Sequence, residues 1–151
     1  MRILITGGFG YIGAKLAKYL YEKGHQIILG SQRELNSPSW LPNAEVVKTI
    51  WEDEEALLKI CYDKDVIIHA AGMNAIDCSN DPVSALKFNG MATARMIRSC
   101  VNAGTKRFIY LSTAHVYGSP LKGEINENTC PKNYHPYATS HLAGEYALFY
   151  E

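Results

Sequence analysis

Short apolar runs alternate with longer amphipathic segments along the whole chain. Runs of four or so consecutive apolar residues bounded by polar or turn residues are typical of β-strands that are buried on both faces. Five such runs predict five strands, at residues 3–5, 26–29, 46–50, 66–68 and 108–111.

The segments between these runs have helical spacing. The spacing predicts helices over residues 14–23, 53–61, 82–103 and 137–150. Gly24 and Gly104 follow the first and third of these segments, where glycine commonly ends a helix. Gly90 falls inside the third segment, which suggests close packing against the sheet or a ligand. Residues 31–43 and 115–136 are rich in turn formers and predict irregular connections.

Strands that alternate with helices predict a parallel sheet, because each right-handed crossover returns the chain in the same direction. We therefore expect an α/β fold, doubly wound, with strand order 3-2-1-4-5 and helices on both faces. In such sheets ligands bind beyond the carboxyl ends of the strands. Four segments reach that edge and are expected to share one cleft: residues 7–13, Ser31, residues 70–72 and residues 112–113.

Residues 6–13, TGGFGYIG, link the first strand to the first helix. A turn that passes close to a pyrophosphate leaves no room for β-carbons, and the helix that follows offers free N–H groups and a positive dipole end. Within a strand-turn-helix unit this glycine pattern predicts dinucleotide binding in a Rossmann-type domain. The alternative is a turn whose glycines are purely structural.

Composition narrows the classes of partner. The chain has 151 residues, of which 47% are hydrophobic, and fifteen basic residues balance fifteen acidic ones. This charge balance argues against nucleic acid or an anionic membrane as partner. No apolar run is long enough to span a membrane and the start does not resemble a signal sequence, so we expect a cytoplasmic protein. The four cysteines and five histidines lack metal-ligand spacing, and no metal is predicted.

A possible reaction centre follows from three side chains. Thr113 comes at the end of the fifth strand, Tyr137 begins the last helix, and His141 lies one turn later on the same face. Hydride transfer from an alcohol carbon needs a group that takes the hydroxyl proton, and a tyrosine does so when a nearby cation lowers its pKa. The alternative is that Thr113 only ends a strand and Tyr137 only begins a helix.

Several motifs, in order along the whole chain, resemble the extended short-chain dehydrogenase/reductase family, and within it the nucleotide-sugar epimerases and dehydratases. They are residues 6–13, HAAG at 69–72, Asn89, LSTAHVYG at 111–118 and YATSHLAGE at 137–145. The resemblance implies an NAD(P)-dependent epimerase, dehydratase or reductase that acts on a nucleotide sugar by hydride transfer.

The resemblance also assigns residues. It implies that Tyr137 is the catalytic acid/base, Thr113 orients the substrate oxygen and His141 stands at the ribose-binding position. Further cofactor contacts are implied at the glycine turn, the fourth strand end and the long helix: Gly7, Gly10, Tyr11, Ile12, Gly13, Ala70, Ala71, Gly72 and Asn89.

The chain departs from the family pattern at two sites. The family has Tyr-x-x-x-Lys, whereas His141 replaces the lysine, and an imidazole is mostly neutral at pH 7. A non-catalytic NAD(P)-binding module, acting as a sensor or regulator, is therefore the alternative function. The usual acidic residue after the second strand is also missing. Ser31, Gln32 and Arg33 stand there and favour NADP over NAD, because Ser31 and Arg33 can hold a 2′-phosphate.

Two expectations concern parts beyond the site. Family members continue for about as many residues again, so residues 1–151 are expected to form the NAD(P)-binding domain without the substrate domain. The resemblance further implies a homodimer built on the long helix and the last helix, with apolar contacts from Met91, Ile97, Leu142 and Phe149. A weaker expectation places Ile50 and Trp51 beside the adenine.

Overall fold

A five-stranded parallel sheet forms the centre of the fold. The computed structural model describes residues 1–151. Its strands are β1 (Arg2–Thr6), β2 (Gln26–Ser31), β3 (Glu45–Lys48), β4 (Val66–His69) and β5 (Arg107–Tyr110). They pair in the order β3-β2-β1-β4-β5, and every pair is parallel. The predicted strand order is confirmed, and the strand bounds differ from prediction by at most two residues.

Six α-helices, one π-helical segment and one 3-10 turn complete the secondary structure. The helices are α1 (Tyr11–Glu22), α2 (Glu54–Cys61), α3 (Ala75–Asn80), α4 (Pro82–Ala85), α5 (Thr93–Ala103) and α6 (Pro136–Tyr150). A π-helical segment (Leu86–Ala92) joins α4 to α5, and a 3-10 turn spans Ala114–Tyr117. The predicted long helix is thus interrupted by one π-helical stretch that contains Gly90.

Polar side chains at the helix starts explain where the helices begin. The carboxylates of Asp53 and Asp81 accept hydrogen bonds from Ala56 N–H and Ser84 N–H, each at 3.0 Å, ahead of α2 and α4. Asn74 does the same ahead of α3, where its side-chain oxygen accepts from Asp77 N–H at 3.0 Å. Such caps satisfy N–H groups that have no partner inside the helix.

The chain divides into two compact units. The sheet unit comprises Met1–Ala71 and Arg95–Leu111, and the helical unit comprises Gly72–Ala94 and Ser112–Glu151. The sheet unit holds all five strands with α1, α2 and most of α5. The helical unit holds α3, α4, the π-helical segment, the 3-10 turn and α6.

The central strands β1, β2 and β4 are buried on both faces. Alternate residues of β1, β2 and β4 point to one face and pack with Ala17 of α1: Ile3, Ile5, Ile27, Leu29, Val66 and Ile68. Their neighbours on the other face, Leu4, Ile28 and Ile67, are fully buried as well. Near-continuous apolar strands are what a parallel sheet covered on both sides requires.

The connection from β2 to β3 is irregular, as predicted, but it is more than a surface loop. Leu41 and Ala44 are buried in the sheet-unit core. Trp40 packs edge-on against Phe9 of the glycine turn, with ring centroids 6.4 Å apart, and Lys18 of α1 lies over the Trp40 ring. These contacts anchor the connection to the turn and to α1.

Three of the four cysteines are buried thiols, and Cys130 is exposed. The Cys61 and Cys100 sulfur atoms lie 3.6 Å apart as free thiols. No helix is both long enough and apolar enough to cross a lipid bilayer.

Candidate functional sites

The glycine turn of the sheet unit is too crowded for side chains at two positions. Gly7 has φ +67°, and a β-carbon there would lie 2.8 Å from the backbone nitrogen of Ala71 and 2.9 Å from the Ala70 carbonyl group. A β-carbon on Gly13 would overlap the Gly7 carbonyl oxygen. The turn therefore brings the predicted residues Gly7, Ala70 and Ala71 together, and it needs glycine at both positions.

The start of α1 offers unpaired backbone donors. Gly10 is the N-cap residue, no side chain caps the helix, and its first turn has no acidic residue. The first N–H groups of a helix have no partner inside it, and they lie at the positive end of the helix dipole. Tyr11 and Ile12 are exposed at this end. Turn and helix start together form a binding site suited to a phosphate group.

Ser31, Gln32 and Arg33 lie at the carboxyl end of β2. The Ser31 hydroxyl accepts a hydrogen bond from Arg33 N–H at 3.1 Å, which fixes the turn after the strand. Arg33 is exposed and its guanidinium forms no ion pair. The neighbouring carboxylate of Glu34 is paired with Lys48 at 3.1 Å. The end of β2 therefore presents a cation with no opposing acid.

Trp51 is not placed to stack on a ligand, contrary to the expectation for this position. It is 4% exposed, and its ring packs edge-on against His69 with centroids 5.5 Å apart. His69 in turn bonds through Nδ1 to the Thr6 hydroxyl at 2.7 Å. Trp51 thus belongs to the interior of the sheet unit.

In the helical unit, Tyr137 and His141 form a close pair. Their ring centroids are 4.6 Å apart and the rings are inclined at 74°. The His115 ring contacts Tyr137 from the 3-10 turn, at 5.8 Å. His135 caps α6 by accepting a hydrogen bond from Tyr137 N–H at 3.1 Å through Nδ1. The structure therefore brings the predicted pair Tyr137 and His141 together. Two further histidines, His115 and His135, contact Tyr137, and the sequence alone assigned neither of them a role.

Burial decides the charge of His141. The residue is 4% exposed, and desolvation lowers its pKa from 6.5 to about 4. The imidazole is consequently neutral at pH 7. It brings no positive charge to the Tyr137 phenol, which is what a lysine would bring.

Gly72, Asn89 and His141 meet in the same unit. A β-carbon on Gly72 would lie 3.5 Å from Asn89 Oδ1 and 3.5 Å from His141 Cε1. Asn89 is buried, its Oδ1 accepts from Met73 N–H at 2.7 Å, and its Nδ2 donates to Ser140 Oγ at 3.1 Å. Asn89 thus links the start of the helical unit to α6, next to the Tyr137 and His141 pair.

Thr113 and Ser112 also have structural partners. The Thr113 hydroxyl accepts a hydrogen bond from His115 N–H at 3.2 Å and so caps the 3-10 turn, while its own proton remains available to a ligand. The Ser112 hydroxyl donates to the Glu145 carboxylate of α6. No group of three or more His, Cys, Asp or Glu side chains is placed to hold a metal ion.

Comparison with known proteins identifies the family of the chain. The model of the NAD dependent epimerase/dehydratase family matches residues 3–150. The chain belongs to this family. The family resemblance predicted from the sequence motifs is confirmed.

Named relatives fall into two activities. The chain is 29% identical over 150 residues to the UDP-glucose 4-epimerase of Halalkalibacterium halodurans, covering 96% of the chain and 44% of that protein. It is 30% identical over 158 residues to the dTDP-D-glucose 4,6-dehydratase of Mus musculus, covering 95% of the chain and 44% of that protein. The chain thus spans a little under half the length of these relatives.

Solved structures share the fold. The UDP-glucose 4-epimerase of Thermotoga maritima, solved with UDP-glucose, superposes with a TM-score of 0.86 at 26% identity, covering 99% of the chain and 50% of that protein. The UDP-glucose 4-epimerase of Thermus thermophilus, solved with NAD, gives a TM-score of 0.87 at 24% identity, with 99% and 50% covered. The Rossmann-like fold predicted from sequence is confirmed.

Proposed function

We propose that the chain is the NAD(P)-binding part of an epimerase, dehydratase or reductase that acts on a nucleotide sugar by hydride transfer. The glycine turn carries this proposal. Crowding requires glycine at Gly7 and Gly13, and glycines without side chains let a pyrophosphate approach the N–H groups that open α1. Gly7, Gly10, Tyr11, Ile12 and Gly13 would hold the phosphates, and Ala70 and Ala71 would border the turn.

The side chains of the helical unit supply the proton chemistry. When bound, the nicotinamide cofactor supplies the acceptor and donor of hydride. The Tyr137 side chain would take the proton of the reacting sugar hydroxyl as the phenolate and return it as the phenol, and Thr113 would orient the sugar oxygen with its free hydroxyl proton. Gly72, Asn89 and His141 would line the cofactor, with the neutral His141 imidazole able to hydrogen-bond but not to attract charge.

Arg33 favours NADP over NAD in this proposal. A 2′-phosphate is a doubly charged group that a free guanidinium binds by charge-assisted hydrogen bonds. Arg33 is exposed at the end of β2 and has no carboxylate partner. Ser31 would contribute its hydroxyl, and Gln32 would flank the ribose.

Titration with NADPH and with NADH, followed by nicotinamide fluorescence, tests both cofactor binding and the role of Arg33. We expect NADPH to bind about tenfold more tightly than NADH, since one charge-assisted contact contributes roughly 1.5 kcal/mol. Arg33→Ala should remove this preference and leave NADH binding unchanged. Arg107→Ala, which removes an exposed arginine at the start of β5, is the matched control and should keep the preference.

The titration distinguishes the NADP preference from the existence of the nucleotide site. Equal binding of the two cofactors by the unaltered chain would contradict the NADP preference and retain the nucleotide site. Binding of neither cofactor would contradict the nucleotide site itself and leave the glycine turn with a structural role.

A non-catalytic NAD(P)-binding module is the second candidate, and the low pKa of His141 favours it. A neutral His141 brings no cation to the Tyr137 side chain. In the full-length protein, we expect His141→Lys to raise hydride transfer from UDP-glucose or dTDP-glucose to NAD(P), with His25→Lys as the control outside the helical unit. NAD(P)H formation measures the rate. Retained cofactor binding with no gain in rate would favour the binding module over the enzyme.

A further inference from the structure

Two buried thiols of the sheet unit have no part in the glycine turn or in the pair formed by Tyr137 and His141. Cys61 is the last residue of α2, and Cys100 lies near the end of α5, 39 residues later in the chain. The two residues are 0% and 3% exposed, and their sulfur atoms lie 3.6 Å apart. The structure thus holds two free thiols side by side that the proposed reaction does not use.

Contacts between α2 and α5 keep these sulfur atoms together. At the start of α2, the Glu54 carboxylate pairs with the Arg98 guanidinium of α5. At the other end, Thr105, which follows α5, donates a hydrogen bond from its hydroxyl to the Cys61 carbonyl oxygen at 3.3 Å. The helices are therefore joined before and after the cysteine pair, so the thiols stay neighbours in the folded chain.

The separation of the sulfur atoms is close to what a disulfide requires. A disulfide bond is about 2.0 Å long, so the sulfur atoms would have to approach each other by roughly 1.6 Å. Small rotations of the two side chains about their Cα–Cβ bonds supply such a shift. The bond would connect α2, which precedes β4, to α5, which precedes β5.

Burial controls how fast this pair reacts. A thiol attacks as the thiolate, and the hydrogen bond with Cys61 together with burial raises the pKa of the Cys100 thiol. The pair is therefore protected while the structure is closed. It lies close beneath the surface, because the residues that directly follow the two cysteines, Tyr62 and Val101, are 70% and 53% exposed. Helix ends open locally more readily than the core does, and such opening admits a small oxidant.

We propose that Cys61 and Cys100 form a reversible disulfide that joins α2 to α5 when the surrounding thiol pool becomes oxidised. The oxidant is a small disulfide such as oxidised glutathione. The thiolate of one cysteine attacks it and releases one glutathione, and the thiolate of the other attacks the resulting mixed disulfide and releases the second. The two protein thiols lose their protons and two electrons, which leave with the two molecules of reduced glutathione. This inference does not depend on the proposed activity.

Mass spectrometry after treatment of the 151-residue chain with oxidised glutathione tests the proposal. The remaining thiols are alkylated before digestion with trypsin, which places the two cysteines in separate peptides, 60–64 and 99–106. We expect these two peptides to be recovered as one cross-linked product that dithiothreitol separates. Cys130→Ser removes the exposed thiol, and with it disulfides between molecules, and is the background for every measurement.

The disulfide should also stabilise the fold. It restricts the unfolded chain between two positions 39 residues apart. The melting temperature should therefore rise by about 5–10 °C on oxidation. Cys100→Ala should show no rise, whereas Cys78→Ala, which changes a buried cysteine outside the pair, should show the full rise. Circular dichroism confirms that each variant is folded.

Three results would overturn the proposal. Recovery of Cys61 and Cys100 in alkylated form, even in urea just below the unfolding transition, would show that the pair is inert. Cross-links from Cys78 to either residue in similar yield would show that the bond forms in the unfolded chain. A melting temperature that falls on oxidation would show that the fold does not accommodate the bond.

Discussion

His141 occupies the place of the lysine in the family's Tyr-x-x-x-Lys pair, and its burial determines what it can do there. A lysine at this place would keep its charge at pH 7, whereas burial holds the pKa of His141 at about 4. The His141 imidazole contacts the Tyr137 ring, but it does not supply the positive charge that a lysine would place there. Replacement of the family's lysine by His141 therefore preserves the contact with Tyr137 and removes the positive charge beside it.

The lowered pKa of His141 predicts a pH dependence of stability. Between pH 6.5 and about 4 the unfolded chain binds a proton at this imidazole that the folded chain does not bind. The free energy of unfolding should therefore fall with decreasing pH across this window, by roughly 1–3 kcal/mol from this residue alone. Urea unfolding at pH 7 and pH 5 should show a smaller loss in His141→Gln than in the unaltered chain.

His25→Gln is the control for this measurement, because it removes an imidazole that is not fully buried. It should retain the full pH-dependent loss of stability. The same loss in His141→Gln as in the unaltered chain would contradict a buried, neutral His141.

The secondary-structure elements show where sequence patterns suffice. The five apolar runs identified every strand. The signal is clearest for β1, β2 and β4, because a strand covered on both faces needs an unbroken apolar stretch. The glycine turn was equally predictable, since the crowding at Gly7 and Gly13 excludes any other residue. At the strands and the glycine turn, the residue types preferred locally are those that the fold requires, so the sequence alone predicts these elements.

Other features depend on contacts that a pattern does not contain. The π-helical segment Leu86–Ala92 places Gly90 against α6, where a β-carbon would lie 3.3 Å from Ala143 Cβ. Helical spacing does not distinguish a π-helical turn from an α-helical one with a glycine. The short helix α3 was missed because its six residues carry too little periodicity. Its Asn74 cap is the signal that could have revealed it.

Burial corrects one group of predicted contacts. Ile97 was expected at an interface between subunits, yet it is fully buried within the sheet unit and so cannot contact a partner. Trp51 fails as a ligand contact for the same reason. A helical repeat of apolar residues does not reveal whether a residue faces its own sheet or a second protein.

At the scale of the whole molecule, each compact unit carries one part of the proposed function. The sheet unit contains the glycine turn and Arg33, and the helical unit contains Tyr137, His141 and Thr113. Substitutions in the glycine turn or at Arg33 should therefore change cofactor affinity, and substitutions of Tyr137 or Thr113 should change hydride transfer. The end of α6 is a further surface, and it carries no residue assigned to these steps.

The exposed end of α6 supports the prediction of a homodimer. Tyr146, Phe149 and Tyr150 lie at helical spacing on one side of α6, and Phe149 is 78% exposed. Large aromatic side chains in such a cluster are typical of protein interfaces. Phe149→Asp should raise the dimer dissociation constant by at least about tenfold, since the loss of a central interface aromatic costs about 2 kcal/mol. Sedimentation velocity across a concentration series measures this change.

Tyr62→Asp provides the comparison, because Tyr62 is an aromatic residue of similar exposure, 70%, that follows α2 in the sheet unit. It should leave the dissociation constant unchanged. A chain that sediments as a monomer at all concentrations would contradict the dimer, and a dimer that persists in Phe149→Asp would place the interface away from α6.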